Sequence, residues 1–135
     1  MNAEQGDLCV RVLSAIAWSD GEVTDDEMDK VLDVVTQLDY ADGPRVQEIL
    51  HIPTTFNHMD AIRALDRKTR LRLLHDAYLV AVQDKPLDEP ERIILQQMAG
   101  CVIEGKKWED VEACLDAYAQ YESRCRRLWG LTHLA

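Results

Sequence analysis

Apolar residues recur three and four positions apart along most of this chain, the period of helices that bury one face. Leu8, Cys9, Val12, Leu13, Ile16 and Ala17 predict a first helix over about Gln5 to Ser19. Asp20-Gly21 stops it, because glycine accepts the left-handed backbone that closes a helix. Met28, Val31, Leu32, Val35 and Leu38 supply the buried face of a second helix starting at Thr24. A short helix follows Asp42-Gly43-Pro44 to about Leu50 and ends at Ile52-Pro53; another, capped by Thr55 or Asn57, runs to Leu65. Asp66 caps a longer helix with Leu71, Leu74, Tyr78 and Ala81 on one stripe, ending at Gln83-Asp84. Ile94, Leu95, Met98 and Val102 mark a helix from Asp88 to near Gly105. Val111, Leu115, Tyr118, Tyr121, Cys125 and Leu128 mark a last one from about Trp108. No segment alternates as a strand does. The expected fold is all-α, a bundle of about seven helices in one domain spanning 1–135. Two pseudo-symmetric helix-turn-helix halves are expected at about 5–50 and 66–105, with a C-terminal helix at about 107–130.

The halves are visible as a repeat. Asp20-Gly21-Glu22-Val23-Thr24-Asp25-Asp26-Glu27 recurs in weakened form 64 positions later (84 − 20 = 64) as Asp84-Lys85-Pro86-Leu87-Asp88-Glu89-Pro90-Glu91. In this register Ile16-Ala17 falls over Val80-Ala81, Thr24 over Asp88, Glu27 over Glu91 and Val31 over Leu95. Both turns carry a capping box. The first residue accepts a hydrogen bond from the backbone NH three positions on, and the glutamate there reaches back to the first residue's NH. Asp25 and Asp26 place further negative charge at the positive end of the helix dipole.

Charge narrows the function. A net charge of −10 argues against nucleic acid as a main partner, since phosphate binding needs a basic footprint. The acids concentrate between residues 20 and 42, where Lys30 alone opposes nine of them. Residues 63–72 are the reverse, with Arg63, Arg67, Lys68, Arg70 and Arg72 against Asp66. These are either two solvated faces or a cation-attracting pole and an anion-attracting one. No apolar run approaches the ~18 residues of a transmembrane span. The apolar stretch Leu8–Trp18 is broken by Arg11 and follows Glu4 and Asp7, unlike a signal peptide, so a cytoplasmic location is expected. Cys9, Cys101, Cys114 and Cys125 lack metal-type spacing and are expected as free thiols.

The first turn matches the second half of a calcium loop, with Asp20 at the fifth position, Gly21 at the sixth and Glu27 at the twelfth. Ile16 and Trp18 would then occupy the first and third positions, where neither can ligate, so it is no EF-hand. Two half-sites facing each other would still pool carboxylates from Asp20, Glu22, Glu27, Asp84 and Glu91. An oxygen-only set of this kind suits calcium, magnesium or manganese. Glu27 and Glu91 are fully explained as capping-box residues, and Asp20 and Asp84 as turn formers, and this structural reading stands ahead of metal binding. Lys85 and Pro86 stand where the first copy has Gly21 and Glu22, and Lys85 would compete with a cation.

Glu48-Ile49-Leu50-His51 is a single Glu-x-x-His unit, whereas a di-iron site needs two. There is no phosphate loop, nucleophile elbow or Cys-His constellation. The expected protein is therefore non-enzymatic and offers its acidic groove to a protein partner. The competing readings are a metal-dependent enzyme using the carboxylates, with His51, and a purely structural domain. Trp18, beside the acidic turn where the second copy has Val82, is a candidate partner contact together with Asp25 and Asp26. The Cys125–Trp129 segment, with Arg126 and Arg127, is a weaker one.

Ala17-Trp18-Ser19-Asp20-Gly21-Glu22-Val23-Thr24-Asp25-Asp26-Glu27, with its degraded copy over Ala81 to Glu91, resembles the twin turns of the tellurite-resistance TerB family. The likeness spans roughly residues 5–105. It implies a small α-helical domain with an acidic surface and divalent-cation binding. Its family context is membrane-associated stress complexes, in which such a domain associates peripherally; a related domain is part of a DnaJ-type co-chaperone.

Overall fold

A computed structural model describes residues 1–83 and 85–130. Seven helices make up the chain among the described residues, and no strand occurs. They are α1 (Ala3–Ala17), α2 (Asp25–Gln37), α3 (Gly43–Leu50), α4 (Met59–Arg63), α5 (Arg67–Ala81), α6 (Glu89–Val102) and α7 (Trp108–Trp129).

Local capping chemistry sets most of the helix starts. The side chains of Thr24, Asp42, Asp66 and Asp88 each accept from the backbone NH three residues on. Asn2 does the same for Gln5, whose side chain accepts from the Asn2 NH, and this box starts α1 at Ala3, two residues before the expected start at Gln5. The expected cap at Thr55 or Asn57 does not form. His58 occupies that position without a side-chain bond, and α4 is only five residues long. Ile103 turns to extended backbone and ends α6 at Val102, short of Gly105.

The bundle is assembled around α5, which packs against α1, α6, α7 and α2. Leu73, Leu74 and Ala77 to Ala81 are all buried, so α5 has apolar contacts round most of its circumference rather than along the single stripe expected. Leu13, Ile16, Leu50, Leu95 and Met98 close the core around it. Each such side chain contributes roughly 1.5–3 kcal/mol by leaving water.

Polar ties fix the connections. The fully buried Asp76 of α5 accepts a 2.6 Å hydrogen bond from the Tyr40 hydroxyl. Arg72 lies 4.3 Å over the Tyr40 ring and donates to the Leu38 carbonyl. Gly6 of α1 meets the same connection from the other side: an added Cβ would overlap the Tyr40 carbonyl oxygen. Arg45 pairs with Asp7 at 2.8 Å and holds α3 to α1. All four cysteines are free, as expected, and burial pushes the Cys9 thiol up to about 12, far from a reactive thiolate.

Candidate functional site: two facing turns

The turn after α1 is closed by Gly21, in the left-handed region at φ 87°, and by Asp20, whose carboxylate accepts from the Glu22 NH at 3.0 Å. Thr24 then caps α2, accepting from the Glu27 NH at 3.2 Å. The returning bond differs from the expected capping box. The Thr24 hydroxyl donates to the Glu27 carboxylate at 3.0 Å, in place of the Thr24 NH. In the second turn the box is complete: the Glu91 NH donates to Asp88 at 3.0 Å and the Asp88 NH to Glu91 at 3.3 Å.

Lys85 adds a built-in cation. Its ammonium lies 2.8 Å from an Asp88 oxygen and 3.4 Å from a Glu91 oxygen. Glu91 is only 3% exposed, and burial pushes its carboxyl up to about 7 although the Asp88 NH and Lys85 both pull it down. Burial opposes the ionised form of Asp88 too, but there the Lys85 and Glu91 NH hydrogen bonds win and hold it below the usual carboxylate range.

The turns meet at a cavity of about 220 Å³ with an apolar wall of Val23, Val31 and Val80. Glu27, Lys30, Lys85 and Glu91 also line it. Of the five carboxylates expected to pool, the fold therefore brings Glu27 and Glu91 onto one cavity. Asp20 and Glu22 are exposed and do not line it, and Asp84 lies outside the described residues. Among the described residues no group of three or more His, Cys, Asp or Glu side chains is arranged to hold a metal ion.

Asp25 and Asp26 sit in the exposed first turn of α2, and Asp29 and Asp33 continue the same exposed run. None of the four has an ion pair among the described residues. The basic stretch is engaged within the fold in part. Arg70 donates to the Cys101 carbonyl at 3.0 Å, Arg72 is held at Leu38 and Tyr40, and Arg63 pairs with Asp60 at 3.2 Å. Arg63, Arg67 and Lys68 of the basic stretch are exposed, as the acidic run is.

Trp18 is half-buried, and its indole NH donates to the Leu50 carbonyl at 2.9 Å, satisfying an end of α3. His51 follows α3 as an exposed cap, its Nδ1 2.6 Å from the Gln47 carbonyl, while Glu48 turns to Arg45 at 3.2 Å. The Glu-x-x-His unit is thus divided between two local contacts. His75 packs on the Tyr118 ring at 4.4 Å, and burial together with the nearby Arg11 lowers His58. His133 and the chain beyond Gly130 lie outside the described residues.

A larger groove of about 540 Å³ between the end of α5 and α7 was not expected. Arg92 spans its rim, 3.3 Å from Glu89 and 3.2 Å from Glu112. The available signal was Glu112 and Asp116 one turn apart in the last helical pattern. No family model, curated protein or solved structure matches the chain. No described helix is long and apolar enough to cross a membrane.

Proposed function

We propose that this chain is a non-enzymatic, TerB-like interaction domain whose acidic α2 face docks a basic segment of a protein partner. The observation that carries this is the exposed run Asp25, Asp26, Asp29 and Asp33, which has no ion pair among the described residues. Uncompensated charge of one sign steers oppositely charged partners.

The duplicated helix pair is part of the same reading. The bounds of α5 are those of α1 moved by 64 positions (67 − 3 = 64, 81 − 17 = 64), and their caps, Asn2 and Asp66, follow the same offset. Seven of the eight buried positions of α1, Cys9, Val10 and Val12 to Ile16, map onto buried positions of α5.

The direct test is binding of an octa-lysine peptide to the full chain over a range of salt concentrations. Affinity falls with salt, and it falls about tenfold or more when Asp25, Asp26, Asp29 and Asp33 are all changed to Asn. Equal affinity in that variant would sink the proposal.

Divalent-cation binding between the turns is the second reading, favoured by Glu27 and Glu91 facing one cavity. There Lys85 holds the place a metal would take against Glu91. The enzyme alternative needs His51 beside the carboxylates, and its ring is turned instead to Gln47.

A further inference from the structure

We propose that the outer face of α6 is a dimer interface, occupied by α6 of a second copy of this chain. The inference is independent of the acidic α2 face. Ile93, Gln96, Gln97 and Gly100 are exposed three and four positions apart along one side of the helix. The charged residues of α6 all lie in its first four positions, where Glu89 pairs with Arg92 at 3.3 Å and Glu91 is buried. From Ile93 to Val102 the helix carries no charge, although 30% of the chain is charged. Each of the other six helices exposes charged side chains. On this neutral face Ile93 is 47% exposed.

The charge-free surface continues beyond the helix. A groove of about 290 Å³ flanks it, with Ile94 and Gln97 on the α6 wall and Trp18, Thr54, Thr55 and Phe56 facing them. No charged side chain lines this groove among the described residues. Ile52, also exposed, stands two residues before Thr54. Helix face and groove together give the breadth that a single stripe lacks for a stable interface.

A second copy is the occupant that charge and register favour. In a two-fold contact a patch meets itself, so on a chain of net charge −10 a charged patch repels its own copy and a neutral one does not. An antiparallel pairing centred between Gln96 and Gln97 sets Ile93 of one copy opposite Gly100 of the other (93 + 100 = 96 + 97). A Cβ added at Gly100 would meet nothing within 4 Å, so the space over it is free to take the isoleucine of the second copy. The glutamines then meet at the axis, where each amide both donates and accepts and so pairs with its own kind.

The test is sedimentation equilibrium of the full chain over roughly 1–500 μM. A monomer–dimer equilibrium is expected, and it tightens as salt screens the repulsion between two acidic chains, the opposite sign to docking at the α2 face. Ile93→Glu and Gly100→Arg each place a charge in the interface twice and weaken the dimer by about a hundredfold or more. Both positions are exposed, so circular dichroism of the variant monomers should match wild type. The variant with all four α2 aspartates changed to Asn dimerises at least as tightly as wild type, which separates this face from the acidic one. A wild type that stays monomeric over the whole range overturns the proposal and leaves the face to a different partner. A dimer that Ile93→Glu and Gly100→Arg do not weaken overturns it too, because it must then form through another surface.

Discussion

Tyr40 donates its phenolic proton to Asp76 across 2.6 Å, tying the α2–α3 connection to a carboxylate with no solvent exposure. Burial and the neighbouring negative charge both oppose ionisation of Tyr40, so the phenol stays a donor at any ordinary pH. Tyr40→Phe keeps the ring under Arg72 and removes only this bond. The expected loss is about 1 kcal/mol, read from urea unfolding, because a buried acceptor loses one donor while Arg72 stays 3.5 Å away. A change below about 0.5 kcal/mol would mean that the bond carries no stability.

Glu91 gives stability a pH dependence of defined sign. Its carboxyl is raised from 4.5 to about 7 in the folded chain, so the native state binds the proton more tightly than the unfolded state does. The contribution is fully present below about pH 4.5 and is lost as pH rises through about 7. Glu91→Gln keeps an acceptor for the Asp88 NH but cannot ionise. Between pH 5 and 8 wild type should lose about 2 kcal/mol relative to this variant. Parallel stability–pH curves would contradict the assignment.

Lys85 controls whether the facing turns hold a metal. In wild type, calcium, magnesium or manganese added after chelation should barely raise the unfolding temperature. In Lys85→Ala the ammonium is gone, and a saturating ion should stabilise by ~2.7 kcal/mol at 100 times its dissociation constant. That is a rise of several degrees for a domain of this size, and it should disappear again in Lys85→Ala/Glu27→Gln. A rise in wild type that Asp20→Asn abolishes would instead establish the pooled carboxylate site.

The two caps should differ in cost. Thr24→Ala removes one backbone bond at an exposed helix start and should cost about 1 kcal/mol. Asp88→Ala removes a complete capping box and the carboxylate nearest Lys85, and should cost about 2 kcal/mol. Equal losses on thermal unfolding would show that the second box adds nothing.

The helix starts were legible wherever one short side chain decides them. Thr24, Asp42, Asp66 and Asp88 all cap as their spacing indicates, because capping involves four consecutive residues. Asn2 and His58 mark the limits of that rule. Asn2 caps before any apolar residue announces a helix, and α4 begins at His58 with no side-chain signal. Long-range relations were hidden for a different reason. Nothing in the sequence around Asp76 shows that Tyr40, 36 positions away, meets it, or that α5 is enclosed by four neighbours. At the candidate site, the repeat did place Glu27 and Glu91 on one cavity. It did not show Asp20 and Glu22 turned to solvent, nor the groove between the end of α5 and α7, because those depend on how helices stack.

Gly6 draws no notice in the sequence, yet its missing side chain sets the distance between α1 and the backbone of Tyr40. A library of every substitution in the first turns of α1 should show broad tolerance at the neighbouring exposed Ala3 and Glu4 and near-complete depletion at position 6. A selection scored by abundance would then flag a residue that bears no functional group. That signature belongs to spacing rather than chemistry, and it would be misread if depletion alone were used to nominate active residues.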